Sequence, residues 1–530
     1  MPDILAEIVA RRARDLETLG ATFGSTIPEC RQRPIVPFLA RPGTILEIKR
    51  ASPSKGNIAP ELNAAETARL YADAGTQAIS VLTERNFFGG SLADLTDAAR
   101  AAPRTAILRK DFILRKDEIG VSFRAGADAV LLIARILSAE KLREFALECR
   151  SFGITPFIEI RGEHDIEKFR EAFRACSERD GNAQTERDGA TPHPVPVAGV
   201  NARDLATFAT DPLVPPSFTE LAPYKVVFES GIRHPAAAAF AGSMGFDGIL
   251  VGEAAARSPE TVDAIVKAFT LQAEAAAEVK AKTKGEHGRT QRFLSENAAF
   301  WERIAVKLRT EKRRPLIKIC GLTNEADAKY AAHSGADMLG FVFTPESPRN
   351  VSAERVRAIR EALCAAGLRP PCIGVITDPD SAEAAEAAKL VREGVLDALQ
   401  FHGCSVPDPA SETARRIACY GAVRPESVSG LGELETLLEH GQPRVLLDAF
   451  HRNLNGGTGT QAAPAIVRAA AKMTPLWLAG GITPENVSSI IKEYDPELID
   501  VSSGTELSPG KKDYAKIDAL MNTIRRNTAE

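Results

Sequence analysis

The sequence has no membrane-length apolar run, no excess of one charge and no clustered cysteines, and each absence removes a class of function. No stretch approaches the roughly 18 uninterrupted apolar residues of a spanning helix, and residues 1 to 19, MPDILAEIVARRARDLETL, scatter charges among apolar positions at helical spacing. A protein without a membrane span or a cleaved signal is expected. Lys and Arg total 66 against 70 acidic residues, a net charge of −4, so no broad cationic field draws the chain onto nucleic acid or anionic lipid. Any anionic ligand must be caught by local charges. The eight cysteines, at 30, 149, 176, 320, 364, 372, 404 and 419, form no CxxC pair and no cluster at zinc spacing, which fits a reduced, cytoplasmic setting. Glycine (39) and proline (33) are too few among 530 residues for a fibrous or low-complexity chain.

What is present is a soluble globular composition, 44% hydrophobic and 26% charged, in a chain long enough for several domains. Between 45 and 252, eight short aliphatic runs alternate with amphipathic helical stretches: ILEIK at 45, AISVL at 78, AILRK at 106, AVLLI at 129, PFIEI at 156, VAGVN at 197, KVVFE at 225 and GILVG at 248. A second series of eight runs from LIKIC at 316 to LIDVS at 498. Near-continuous aliphatic strands separated by helices imply parallel sheets buried on both faces. Eight such units close naturally into a barrel. The halves are alike locally, AGADAVLLI (125–133) resembling SGADMLGFV (334–342) and FESGIRHP resembling LAGGITPE. The expected fold is therefore α/β, two tandem (β/α)8 TIM barrels joined by a helical linker, with a doubly wound open sheet as the alternative. The expected domains are 1–270, with 1–44 a helical extension; a linker at 271–314, broken by KGEHGRT; and 315–530. Residues 177–196 read as an inserted polar loop.

Strand alternation puts Glu47 and Lys49 on one inward face, and sets Lys110, Glu159, Asn201 and Glu229 at the carboxyl ends of the third, fifth, sixth and seventh strands. Those ends form the active face of such a barrel. A structural salt bridge competes as an explanation for any one of these residues, and much less well for polar residues at five strand ends. Turns at Ser230-Gly231 and after Gly252 can point backbone amides at a phosphate.

With ILEIKRASPSKG, LRKDFI, GADAVLLIARIL, GVNARDL, ESGI and LVGEA in order, the first half resembles indole-3-glycerol-phosphate synthase. That family closes, decarboxylates and dehydrates a carboxyphenylamino-deoxyribulose phosphate. The resemblance implies that Lys110 is the general acid on the substrate carbonyl and that Glu159 serves the dehydration. It also implies that Lys49, Glu47, Asn201 and Glu229 support ring closure. Ser52, Lys55, Arg203, Ser230, Gly231 and Gly252 are the implied substrate contacts, Arg203 as a candidate for the carboxylate. Phe112 and Leu131 offer an apolar wall suited to an aromatic ring. Position 202 is Ala where some relatives carry Asn, so no role is assigned there.

In the second half, KICGLT puts Lys318 and Cys320 on one strand face, RVLLDAF ends a strand at Asp448, SPRN supplies Arg349, and LQFHG supplies His402. A lone strand cysteine is more often core filling. GGTGT, AGGI and VSSG are three Gly-rich loops, carrying Gly457, Gly459, Gly480, Gly481, Ser502, Ser503 and Gly504. This set resembles phosphoribosylanthranilate isomerase, whose Amadori rearrangement needs one acid and one base. The resemblance implies Cys320 as base, Asp448 as acid, Arg349 on the anthranilate carboxylate, His402 as a substrate contact and Asp500 at the sugar. Such roles call for a thiol of depressed pKa and a carboxyl of raised pKa. Thr460 departs from the Lys or Arg that relatives often carry after GGxG.

The leading expectation is a bifunctional, monomeric enzyme of tryptophan synthesis. It takes small phosphorylated anthranilate derivatives, and no metal, redox cofactor, nucleic acid or membrane is implied. A barrel reduced to a binding module and a different phosphosugar isomerisation are the alternatives.

Overall fold

Both series of aliphatic runs form strands where the sequence puts them. The computed structural model describes residues 4–178, 194–204, 207–221, 223–283, 296–311, 314–407, 417–448 and 463–527. Residues 179–193 of the insertion expected at 177–196, the KGEHGRT segment and the GGTGT loop with Gly457 and Gly459 lie outside these. The chain divides into two compact units, Met1–Leu294 and Ser295–Glu530.

In the first unit the strands are Gly43–Ile48, Ala78–Leu82, Ala106–Lys110, Ala129–Ile133, Thr155–Ile160, Val197–Asn201, Val226–Glu229 and Gly248–Val251. In the second they are Leu316–Ile319, Met338–Val342, Cys372–Ile376, Ala398–His402, Cys419–Val423, Leu446–Leu447, Trp477–Ala479 and Leu498–Val501. Each set is parallel and closed, the first strand pairing with the eighth through Ile45↔Leu250 in one unit and Ile317↔Ile499 in the other. Closure leaves no edge strand and excludes the open sheet. Ile45, Leu108, Leu131, Phe157, Val227 and Leu250 meet inside the first barrel, with alanines at 78, 106 and 129 leaving room for Phe157.

The likeness between the halves has a structural cause. The aspartate before a strand accepts the backbone N–H near the start of the preceding one. Asp128 takes Ile107 N at 2.8 Å, Asp247 takes Val226 N at 2.9 Å, Asp337 takes Ile317 N at 2.7 Å and Asp397 takes Cys372 N at 2.7 Å. Each stitches neighbouring strands at the end away from the active face.

The amino-terminal helix, Ile4–Leu19, adds Leu5 and Ile8 to the first barrel's interior cluster. Its buried Arg12 reaches Asp111 at 2.7 Å and Glu118 at 2.9 Å, so the extension is fastened to the loop that begins just after Lys110. The expected linker does not stand apart. The boundary expected at 270 falls inside helix Val262–Thr283, whose Gln272, Ala273 and Ala276 are buried within the first unit. Helix Glu296–Thr310 belongs to the second unit, where the Trp301 ring lies 5.9 Å from Trp477 and 6.3 Å from Tyr420. Amphipathic Ala/Glu/Lys-rich sequence reads alike in a linker and in a helix that covers a barrel. Among the described residues, no helix is long and apolar enough to cross a membrane.

Candidate active sites at the carboxyl ends of the strands

The first barrel opens at its carboxyl end into a cavity of about 1040 Å³, counting its mouth. Parallel register brings the ends of different strands level: Asn201 pairs with Glu229, and Glu159 with Gly199. Glu47, Lys49, Lys110, Glu159, Asn201 and Glu229 all line this cavity. Lys110 Nζ stands 2.6 Å from Glu229 and 3.5 Å from Glu159, and Lys49 Nζ is 3.2 Å from Glu47. Burial alone would lower the Lys110 pKa, but the charges of Glu229, Glu159 and Glu47 outweigh it and hold the ammonium above its usual range. Burial likewise lifts the Glu229 carboxyl, to about 7; Lys110 opposes this, while Glu159 and Glu47 add to it. Both partners rise because three carboxylates share one low-dielectric space. The ammonium stays charged and can donate to a carbonyl oxygen, while its raised pKa makes it the weaker acid.

Phe112 and Leu131 form the apolar wall together with Phe88, Ile133 and Leu250. Ser52, Arg203, Ser230, Gly231 and Gly252 line the cavity as expected. Ser230 and Gly231 are both left-handed, at φ 69° and 83°. Arg203 lines the cavity with Arg233, burial and the charge of Arg233 lowering its pKa. Lys55 departs from expectation. It is exposed on the turn of the hairpin Ala51–Ser52/Gly56–Asn57 and does not line the cavity, because the turn holds its side chain in solvent.

The second barrel presents a denser network. Fully buried Lys318 donates to Asp500 at 2.6 Å and to Gln400 at 2.8 Å. Asp500 therefore lies in the barrel interior, with only its second oxygen left unbonded. Cys320 follows the first strand and is 8% exposed. Burial raises its thiol pKa more than the ammonium groups of Lys318 and Lys512 lower it. The depressed thiol expected from sequence is thus reversed, because desolvation is the larger effect. His402 is the last residue of its strand, and its Nε2 lies 3.1 Å from Asp448 Oδ2. Arg349 already has a partner: Nε and Nη2 donate to Glu506 at 2.9 and 2.7 Å, and Glu506 also receives Lys512 at 3.2 Å. Lys512 reaches the Ser502 carbonyl at 3.0 Å, tying this cluster to the loop of Ser502, Ser503 and Gly504. Gly480 and Gly481, at φ 93° and 62°, repeat the two left-handed positions of Ser230 and Gly231.

Gly199, Gly340, Glu506 and Lys512 escaped the sequence reading, and Gly252 was read only as a substrate contact. A Cβ at Gly199 would stand 2.1 Å from Glu229 Oε1, one at Gly252 2.5 Å from Glu47 Oε1, and one at Gly340 2.6 Å from Cys320 Sγ. In each case a neighbouring strand or loop gives up its side chain to make room for a reactive group. Glu506 and Lys512 escaped because they lie on a short antiparallel ribbon after the last strand, outside the barrel pattern.

The arrangement matches known proteins half by half. Residues 6–175 match the indole-3-glycerol phosphate synthase family and residues 317–523 the N-(5'-phosphoribosyl)anthranilate isomerase family. The indole-3-glycerol phosphate synthase of Geobacillus kaustophilus is 34% identical, covering 50% of this chain and 96% of its own length. The N-(5'-phosphoribosyl)anthranilate isomerase of Neisseria gonorrhoeae is 36% identical, covering 40% of this chain and 98% of its own. A multifunctional tryptophan biosynthesis protein of Phanerodontia chrysosporium is 30% identical over 99% of this chain and 70% of its own length. With both halves matched in this order on two closed barrels, the chain belongs to the family of multifunctional tryptophan biosynthesis enzymes, carrying indole-3-glycerol phosphate synthase followed by phosphoribosylanthranilate isomerase.

Proposed function

We propose that the second barrel isomerises N-(5-phosphoribosyl)anthranilate to 1-(2-carboxyphenylamino)-1-deoxyribulose 5-phosphate, with Asp448 as acid and Cys320 as base, and that the first barrel closes this product to indole-3-glycerol phosphate. In the first barrel Lys110 protonates the ketone oxygen as the aryl carbon attacks, and carbon dioxide and then water leave, Glu159 serving the dehydration. Glu229 orients Lys110, while Glu47, Lys49 and Asn201 complete the polar rim. The substrate ring lies on Phe112 and Leu131, and its phosphate on Ser230, Gly231 and Gly252. In the second barrel Gly480, Gly481 and the Ser502–Gly504 loop take the phosphate. Arg349 takes the anthranilate carboxylate through the edge that Glu506 leaves open. We assign the synthase domain to residues through the helix ending at 283 and the isomerase domain from the helix beginning at 296, in a monomeric, cytoplasmic protein.

The observation that carries this reading is Lys110 Nζ bracketed by Glu229 and Glu159 in a cavity with one apolar wall. Its test is Lys110→Met, assayed for both reactions in the whole chain. Synthase turnover is expected to fall by at least about two orders of magnitude, with the isomerase rate unchanged. Equal loss of both activities would mark a folding defect, and wild-type synthase turnover would remove Lys110 from the mechanism.

A further inference from the structure

Within the second barrel a chain of buried polar contacts ends at Asp448, and the acid/base step itself does not account for it. Lys318, Gln400 and Tyr420 are at most 2% exposed. Gln400 and Tyr420 face each other in register on the fourth and fifth strands. Lys318 Nζ lies 2.8 Å from one end of the Gln400 amide and Tyr420 Oη 3.0 Å from the same atom. An ammonium has donors and no lone pair, so the amide atom facing it is the oxygen. The amide nitrogen therefore points the other way, and it lies 3.1 Å from His402 Nδ1. An amide NH2 only donates. His402 Nδ1 must accept, which leaves the imidazole proton on Nε2. That nitrogen is buried, makes no aligned hydrogen bond among the described residues, and stands 3.1 Å from Asp448 Oδ2.

We propose that Gln400 is a positioning residue that fixes His402 as the Nε2–H tautomer, holding one N–H for the carboxylate that Asp448 becomes during isomerisation. This rests on Asp448 being the acid. As the ribose C1–O bond breaks, the lone pair of the anilino nitrogen forms C1=N, the C–O electron pair leaves on the ring oxygen, which takes the Asp448 proton, and the negative charge stays on Asp448 opposite the positive iminium. His402 Nε2–H then stabilises that charge without giving up its proton. The polar interior of this barrel thus has a direction: the Lys318 charge, itself held by Asp500, orients Gln400, and Gln400 orients the proton of His402.

The test begins with the intact chain labelled with ¹⁵N-histidine. A long-range ¹H–¹⁵N spectrum reads which ring nitrogen carries hydrogen, and the His402 signals are those lost in His402→Phe. A protonated Nε2 and a bare Nδ1 are expected at neutral pH; the reverse tautomer, or an imidazolium, overturns the proposal. Gln400→Glu replaces the donor with an acceptor and should move the proton to Nδ1. Isomerase kcat should then fall at least about tenfold, the cost of one charge-assisted hydrogen bond, with KM within about twofold and the synthase unchanged. If Gln400→Glu does not fold, His402→Phe carries the kinetic half, with the same loss expected. Wild-type kcat in a folded variant lacking Nε2–H overturns the functional role. Wild-type turnover in Asp448→Asn would instead remove the acid assignment, while the tautomer result stands by itself.

Discussion

At the scale of single residues, burial and charge pairing compete site by site: carboxylates win at Lys110 and burial wins at Cys320. Cys320 has two ammonium groups nearby and its thiol is still pushed up from the ordinary value of 9.0. The sign follows directly. A thiol above its ordinary pKa gains thiolate tenfold per pH unit until the raised value is passed, so alkylation of Cys320 in the ligand-free protein should keep accelerating beyond pH 9. Iodoacetamide labelling of the Cys320 peptide, followed by mass spectrometry from pH 7 to 10, reads this. A rate that levels off below pH 8 would mean the base is preformed as thiolate. Identity and strand face of Lys110, Glu159 and Cys320 were legible in the sequence, because period-2 alternation assigns faces. The direction of the Cys320 shift was not, since it depends on desolvation by residues far apart in the chain. The placement of Lys55 was not legible for a related reason: a motif gives residue order, while a two-stranded hairpin decides which side chains meet solvent.

Among the elements, strands were the most legible and helices of the junction the least. Aliphatic runs between Gly/Asp signals locate all sixteen barrel strands, while the four short strands of the two ribbons escape them. The junction helices carry an Ala/Glu/Lys-rich pattern that says nothing about which surface they cover, and packing supplies the answer. Trp301 lies beside Trp477 and Tyr420 at 1% exposure. Trp301→Ala should therefore destabilise the isomerase barrel by about 3–5 kcal/mol, and through it loosen the strand that carries Tyr420. Chemical denaturation monitored by each activity checks this: isomerase should be lost at lower denaturant concentration than in the wild type, with the synthase midpoint unmoved. Loss of the synthase alone would assign the helix to the other unit.

For the whole molecule, the tandem architecture was readable from the repeat of eight runs and from the paired turns at Ser230-Gly231 and Gly480-Gly481, which share a left-handed geometry. The strand-stitching aspartates explain why the halves also resemble each other away from any chemistry. Each unit has a closed barrel of its own and its own set of reactive groups, so each activity should survive loss of the other. The most direct test takes two full-length variants, Lys110→Met and Asp448→Asn, and supplies phosphoribosylanthranilate. The first alone should accumulate the carboxyphenylamino-deoxyribulose phosphate, and the second alone should leave the starting compound unconsumed. An equimolar mixture should restore indole-3-glycerol phosphate. Loss of both activities in either single variant, or a mixture that stays inactive, would contradict two independent active sites in one chain.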